Sequence, residues 1–436
     1  MHTQNLIIGF GKAGKTLAAD LAKHGQQVVL VEQSAQMYGG TCINIGCIPS
    51  KKLIVESEQR GHNADKAAVF AAAMNAKNTL IPKLRAANFA KLDNLDGVTV
   101  LNARAEFLDD RTVKLTDPDG GEQTLTAERI FINTGATPRR LGVAGEDSPR
   151  VLDSTGVLAL NERPRRLVII GGGLEFAFMF HAFGSEITIL DGGDRFLPRE
   201  DRDIAEEMLR VLNSKGIKVL QGVKIEAFRD NTADTSVITS QGEFTADAVL
   251  VGVGRVPNTQ GLGLANAGIE TDPSGFILVD DHLRVQGKNH IWAMGDVAGS
   301  PMFTYISLDD YRIVREQLFG DGKRNRADRT PFPTATFTEP PLAHIGLTET
   351  AAQQSGREVK VLKLKADAIP KAKILNQTDG LLKAVVDAHS GEILGVTLFC
   401  AEAHEIINLF KMAIDFRVPA RYVKNQIFTH PTIAEG

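Results

Sequence analysis

Two stretches of this chain follow the same plan, and that repetition constrains the fold more than any other feature. The first runs from an apolar strand at Leu6–Ile8 through Gly9-Phe10-Gly11-Lys12-Ala13-Gly14 into a helical stretch, Lys15–Lys23, stopped by Gly25. A second strand, Val28–Val31, then ends in Glu32. The plan returns at Leu167–Ile170, passes through Gly171-Gly172-Gly173 into an apolar helix reaching Phe183, and continues past Gly184 to a strand, Glu186–Leu190, ending in Asp191. Each reads as a βαβ unit. In the first, a Gly-x-Gly-x-x-Gly loop follows a strand and opens a helix, and a carboxylate stands 18 residues past its last glycine. Backbone N–H groups at such a helix start hold a pyrophosphate, while the carboxylate accepts hydrogen bonds from a ribose. Gly9, Gly11, Gly14 and Glu32 therefore point to a dinucleotide.

At 436 residues the chain is too long for one ordinary core. Between the two units, Val98–Leu115 and Thr124–Asn133 alternate as strands do and close on Thr134-Gly135. Strand-like runs at Val249–Gly254 and at Ile291–Val297, the latter holding Gly295-Asp296, return after the second unit. From about Thr330, strand-like stretches at Val359–Leu364 and Leu381–Asp387 and a helix-like Glu402–Phe416 suggest a separate α+β domain. Asp321–Arg329, charged and bearing glycine, reads as the linker. The expected fold is α/β, with two Rossmann-like dinucleotide-binding domains and a C-terminal α+β domain. The expected divisions are 1–145 with 280–325, 146–279, and 330–436.

A formal net charge of -4 gives no bulk attraction for nucleic acid or an anionic membrane, so neither is an expected partner. No apolar run approaches about 18 residues and no secretory leader precedes Leu6, so a soluble cytoplasmic protein is expected. Three cysteines do not make a disulfide framework, yet Cys42 and Cys47 lie five positions apart. In a reducing compartment such a pair is catalytic or metal-binding more often than a staple. Cys400, alone in an apolar run, reads as core packing.

The stretch Gly39-Gly40-Thr41-Cys42-Ile43-Asn44-Ile45-Gly46-Cys47-Ile48-Pro49-Ser50-Lys51 resembles the redox-disulfide segment of the pyridine nucleotide-disulfide oxidoreductases, the group of dihydrolipoyl dehydrogenase, glutathione reductase and mercuric reductase. CINIGCIPSK, FLPREDRDIA, MGDV, FTYISLDDYRIVRE and QIFTHP together look most like its bacterial reactive-chlorine-resistance branch, linked to oxidant defence and copper(II) reduction. The resemblance implies an FAD enzyme that carries electrons from a reduced nicotinamide through the flavin to Cys42 and Cys47. Cys47 would lie next to the flavin. Cys42 would attack the substrate, and both sulfurs would hold a copper ion in passing. Lys51 would sit near the flavin, paired with Glu175. His430 and Glu435, within His-Pro-Thr-Ile-Ala-Glu, would serve the opposite subunit of a homodimer by moving the proton that thiol exchange needs. Gly40, Thr41, Ala105, Thr134, Gly135, Gly295, Asp296, Gly171, Gly173, Asp191 and Gly254 are the further cofactor positions.

The resemblance breaks at the second loop. In this branch three more residues, one of them glycine, separate the glycine triplet from its glutamate; here Leu174-Glu175 follows Gly173 directly. About one helical turn is missing, which shortens the start of that helix and weakens the case for nicotinamide binding. The carboxylate of Asp191 disfavours a 2′-phosphate and so favours NADH, while Arg195 leaves room for NADPH. Two alternatives stay open: a reductase of the dihydrolipoyl or mercuric type, and a flavin-bearing redox sensor without turnover.

Overall fold

A computed structural model of the chain describes residues 1–60 and 65–436. Its first sheet grows from β1 (His2–Ile8), β2 (Val28–Glu32) and β3 (Val98–Asn102), which are parallel because a helix crosses from β1 to β2. That helix, α1 (Lys12–Lys23), starts three residues before the expected Lys15, because Gly11 caps it in extended backbone. β6 (Glu122–Ile132) lies on the other side of β1. It leads antiparallel to β5 (Thr112–Thr116) and β4 (Arg104–Phe107), and strand Ile291–Ala293 returns late in the chain to pair with β6. β2 is apolar but for its final glutamate and buried throughout, as a parallel strand covered on both faces must be.

The second sheet is parallel, in the order Lys218–Leu220, Glu186–Leu190, Arg166–Gly171, Ala248–Gly252, Val151–Leu152. Beside it lies an antiparallel meander, Ile225–Asp230, Thr235–Thr239 and Gly242–Ala246. The C-terminal sheet is antiparallel: Thr334–Thr336, Leu342–Gly346, Ile393–Phe399, Leu381–Asp387, Val359–Lys365, with helix Ala403–Asp415 packed on it. The fold is thus mixed α/β with two Rossmann-like sheets and a separate C-terminal antiparallel sheet. Cys400, immediately after strand Ile393–Phe399, is fully buried, and burial pushes its thiol up to about 12. It is core.

Among the helices that the sequence reading did not delimit, two follow the cysteine segment. α3 (Cys47–Arg60) and α4 (Lys66–Asp93) are long and pack side by side. α4 is rich in alanine, a strong helix former, and the Asp65 carboxylate caps it by accepting the Ala68 N–H at 3.0 Å. Its apolar residues form no single stripe because different stretches face different partners. Val69, Phe70, Ala73 and Met74 join the core of the second sheet, Phe70 meeting Phe183 edge-on at 5.2 Å, while Leu92 joins that of the first.

Charged anchors fix the C-terminal sheet to the rest. Lys383, almost fully buried on strand Leu381–Asp387, reaches Asp201 at 2.9 Å, Asp203 at 3.0 Å and Glu349 at 2.5 Å. A buried ammonium needs such company. The expected linker is strapped down as well. Arg324 and Arg329 both pair with Asp309, and Arg329 also pairs with the fully buried Asp310, which in turn accepts the Gly295 N–H at 2.6 Å. Among the described residues no helix is long and apolar enough to cross a membrane.

Candidate functional site

The glycines of the first loop have no room for side chains, and the reason is a residue that the sequence reading passed over. Asn133, buried just past β6, donates to the Met294 carbonyl at 2.7 Å and accepts the Gly14 N–H at 2.9 Å. A Cβ on Gly9 would fall 2.3 Å from the Asn133 carbonyl, and one on Gly11 would fall 2.4 Å from its Oδ1. One on Gly295 would come within 3.0 Å of its Nδ2. Gly40, at φ +78, brings the cysteine segment over the loop so closely that a Cβ there would lie 2.8 Å from the Gly11 Cα. The loop and the Gly295 turn therefore meet at one asparagine, and the cysteine segment lies over the loop.

Next to this junction Gly9, Glu32, Ala105 and Thr134 line one cavity of about 310 Å³ with Asn258. Burial pushes the Glu32 carboxyl up, and the Phe10 and Ser34 N–H groups, at 3.0 and 3.2 Å, pull against it. Gly135 takes a positive φ, and its carbonyl accepts the Asn258 N–H at 2.9 Å. Asp296 lies in the short turn Gly295–Ala298 rather than on the expected strand, which stops at Ala293; burial pushes its carboxyl up. A glycine cradle that any Cβ would fill, opening onto a cavity lined by the Glu32 carboxylate, fits an FAD.

The two cysteines flank a short turn. Thr41 and Cys42 begin α2 (Thr41–Asn44), and Cys47 begins α3, where the partial positive charge of a helix start favours a thiolate. Both are free thiols. Cys47 is exposed to a cavity of about 850 Å³ shared with Lys51, Glu175, Thr304, Tyr305 and His404. Its thiol is lowered to about 6, first by the hydrogen bond from Cys42, then by the Thr304 hydroxyl at 3.6 Å and the Lys51 charge. Cys42 is pushed up by the same hydrogen bond and by burial. The pair holds one proton between two sulfurs, with the negative charge on Cys47.

Lys51 meets the Glu175 Oε2 at 2.5 Å, and the Phe337 N–H donates to the other oxygen at 3.0 Å. Lys51 also lies 4.6 Å above the Phe337 ring. Glu175 thus keeps its partner even though its helix, Leu174–Ala182, begins only one residue before it. Thr304 and Lys15 were missed. Thr304 opens helix Thr304–Phe319, 257 positions from Cys47; its one sequence signal is its place in FTYISLDDYRIVRE, which does not name its partner. Lys15 donates to the Gly39 carbonyl at 3.2 Å and to Asn88 at 2.6 Å, tying the cysteine segment to α4.

The remaining expected positions stand apart. Gly171 and Asp191 lie at the C-terminal ends of adjacent strands in the second sheet, Gly173 caps the following helix, and Gly254 follows strand Ala248–Gly252, outside the strand expected to contain it. His430 Nδ1 is 2.9 Å from the Glu435 Oε2, which holds the Glu435 carboxyl down, but the imidazole is exposed and does not line the Cys47 cavity. Among the described residues no group of three or more His, Cys, Asp or Glu side chains could hold a metal ion.

Comparison with known proteins agrees with this layout. The profile of the pyridine nucleotide-disulphide oxidoreductases matches residues 3–310, and that of their dimerisation domain matches 332–436. The chain belongs to this family. Membership implies FAD and NAD(P)H. The chain is 44% identical to the probable pyridine nucleotide-disulfide oxidoreductase RclA of Escherichia coli, over 99% of this chain and 97% of that one. It is 32% identical to a mercuric reductase of Staphylococcus aureus, over 99% and 80% of the two chains. A solved Cu(II) complex of the HOCl-induced flavoprotein disulfide reductase RclA from E. coli superposes with a TM-score of 0.96 at 43% identity, covering 100% of this chain and 98% of that one.

The sulfur geometry makes one prediction directly. Thr304→Val removes a hydrogen bond to the Cys47 thiolate and must raise the pH at which that thiol ionises, from about 6 toward the ordinary thiol range. Alkylation of the reduced protein followed against pH checks this; an unmoved midpoint contradicts it.

Proposed function

We propose that this family member is an FAD-dependent reductase whose Cys42 and Cys47 alternate between disulfide and dithiol, with Cu(II) as the acceptor, in oxidant defence. The observation that carries the reading is the lowered Cys47 thiol, facing a cavity beside the Lys51–Glu175 pair while Cys42 shares its proton. FAD, when bound in the first glycine cradle, supplies a two-electron relay to these sulfurs. The protein's own residues do the rest. Thr304 and Lys51 hold Cys47 ionised, Glu175 holds Lys51 in place, and Cys42 keeps a proton until its sulfur is needed.

In the acceptor half, the thiol–thiolate pair gives one electron to each of two Cu(II) ions; one S–S bond forms, two Cu(I) ions leave and the one proton held by Cys42 is released. Soft thiolates favour Cu(I), and the E. coli relative was solved with Cu(II) bound. His430, with Nδ1 turned to Glu435, has Nε2 free to accept that proton. We place this pair in the partner subunit's site, with the pairing made through residues 330–436. The exposed apolar side chains Leu409, Met412, Phe416, Tyr422 and Ile427 support that placement. The divisions 1–145 with 280–325 for FAD and 146–279 for the nicotinamide nucleotide complete the reading, as does a cytoplasmic setting. Asp191 favours NADH over NADPH.

Dithiol protein, reduced anaerobically with a chemical reductant and mixed with Cu(II), is expected to yield two Cu(I) per subunit, trapped by a chromogenic chelator, as two thiols disappear. Absence of Cu(I), or faster reaction with lipoamide or Hg(II), contradicts the assignment of the acceptor.

A further inference from the structure

Helix Thr304–Phe319 carries three polar side chains one turn apart, and each holds a different part of the site. Thr304 shares a hydrogen bond with the Cys47 sulfur at 3.6 Å, Ser307 accepts the Ala13 N–H in the first turn of α1 at 3.2 Å, and Asp310 accepts the Gly295 N–H at 2.6 Å. Spaced three residues apart, they share one face of the helix. Ser307 and Asp310 are both buried, and a Cβ on Gly295 would come within 3.0 Å of the Ser307 Oγ. One helix therefore grips both sides of the flavin cradle, the glycine loop and the Gly295 turn.

Of these grips, the one on Gly295 depends on a charge supplied from elsewhere. Burial pushes the Asp310 carboxyl up, and the Arg329 guanidinium and the Gly295 N–H pull it back down. An ionised carboxylate is the stronger acceptor for that N–H. Arg329 belongs to the charged stretch that leads into the C-terminal domain, and it forks: its Nε meets Asp309 at 2.7 Å while another guanidinium nitrogen meets Asp310. The stretch is pinned on its other side as well, where Lys411 of helix Ala403–Asp415 donates to the Thr330 hydroxyl at 2.7 Å. A chain of contacts thus runs from the C-terminal domain through Arg329 and Asp310 to the turn that holds Asp296.

We infer that Arg329 is a positioning residue for the flavin: by holding Asp310 it fixes the Gly295 turn, and FAD retention depends on that turn. Removing one partner of a buried ion pair leaves the other charge uncompensated, so the carboxylate must shift or take a proton, and either change loosens its hold on Gly295. Asp309 is spared, because it keeps Arg324. The inference rests on the reading of the first glycine cradle as the FAD site.

Retention of FAD by the purified holoprotein, followed as free flavin fluorescence on dilution, tests the inference. Arg329→Met should weaken FAD binding at least about tenfold. Adding Asp310→Asn to it removes the stranded charge but keeps a carbonyl for the Gly295 N–H, and should bring binding back to within about threefold of the unaltered protein. Adding Asp310→Leu instead, equally neutral but without an acceptor, should not. Thermal melting of the same samples separates flavin loss from unfolding, and if Arg329→Met alone does not fold, the two double variants decide, since they differ only in the acceptor. Unchanged binding by Arg329→Met, or equal binding by the two double variants, overturns the inference. Unaltered protein that holds no FAD would instead contradict the reading of the cradle.

Discussion

Cys47→Ser is expected to lower turnover on the order of 10⁴-fold or more, because a hydroxyl can neither carry the thiolate charge nor re-form the sulfur–sulfur bond. FAD should stay bound, since the glycine cradle is built from Gly9, Gly11, Gly14 and Gly295 around Asn133, with Gly40 laid over Gly11, and none of it rests on the Cys47 side chain. The comparison that gives the result its meaning is Cys42→Ser. That variant also loses turnover, but it keeps a thiolate at Cys47, because Thr304 and Lys51 still favour the ionised sulfur. Its Cys47 should ionise at a higher pH than in the unaltered protein, since the largest cause of the lowered value is the hydrogen bond from Cys42. Long-wavelength absorbance of a thiolate against bound FAD should therefore persist in Cys42→Ser and vanish in Cys47→Ser. Its survival in Cys47→Ser would reverse the assigned roles of the two sulfurs.

His430→Gln should lower turnover by about 10²- to 10⁴-fold, the usual contribution of a placed acid–base group. Glutamine keeps a hydrogen-bond donor for Glu435 but cannot carry the proton, so folding and thiol count are expected to stay unchanged while the acceptor half slows. Within one subunit His430 lies on an exposed segment away from the Cys47 cavity, so the account requires it to act across a subunit boundary. Mixed refolding of His430→Gln with Cys42→Ser distinguishes the two arrangements. Heterodimers would carry one intact site, and activity should return from two inactive parents; no recovery places the histidine elsewhere.

Much of this site was legible in the sequence because its parts obey local rules. A glycine loop needs a strand before it and a helix after it, and a carboxylate at the next strand end completes it. Glu32, Ala105 and Thr134 do converge on one cavity with Gly9, and Lys51 does meet Glu175. What was not legible depends on long-range contacts. Thr304 reaches Cys47 across 257 positions, and Asn133 joins the first glycine loop to the Gly295 turn through one amide. The motif FTYISLDDYRIVRE contains Thr304 but does not point to Cys47, and nothing beside Asn133 announces its contacts. α4 was invisible for a different reason: its two ends serve different cores, so its apolar residues never settle into one period. The charged stretch Asp321–Arg329 shows the converse. Its composition reads as an exposed linker, yet Arg324 and Arg329 turn inward to neutralise two carboxylates on helix Thr304–Phe319, one of them fully buried and holding the Gly295 turn.

The central claim is that the first pair of electrons resides on Cys42 and Cys47 with the charge on Cys47. An anaerobic titration with dithionite, read by flavin absorbance and by alkylation of thiols at each step, tests it most directly. The account predicts that two electrons per subunit free two alkylatable thiols and raise a long-wavelength band that titrates in with a midpoint near pH 6, below which the thiol is protonated, while the main flavin absorbance persists. Bleaching of the flavin by those same two electrons, with no thiols released, would contradict it.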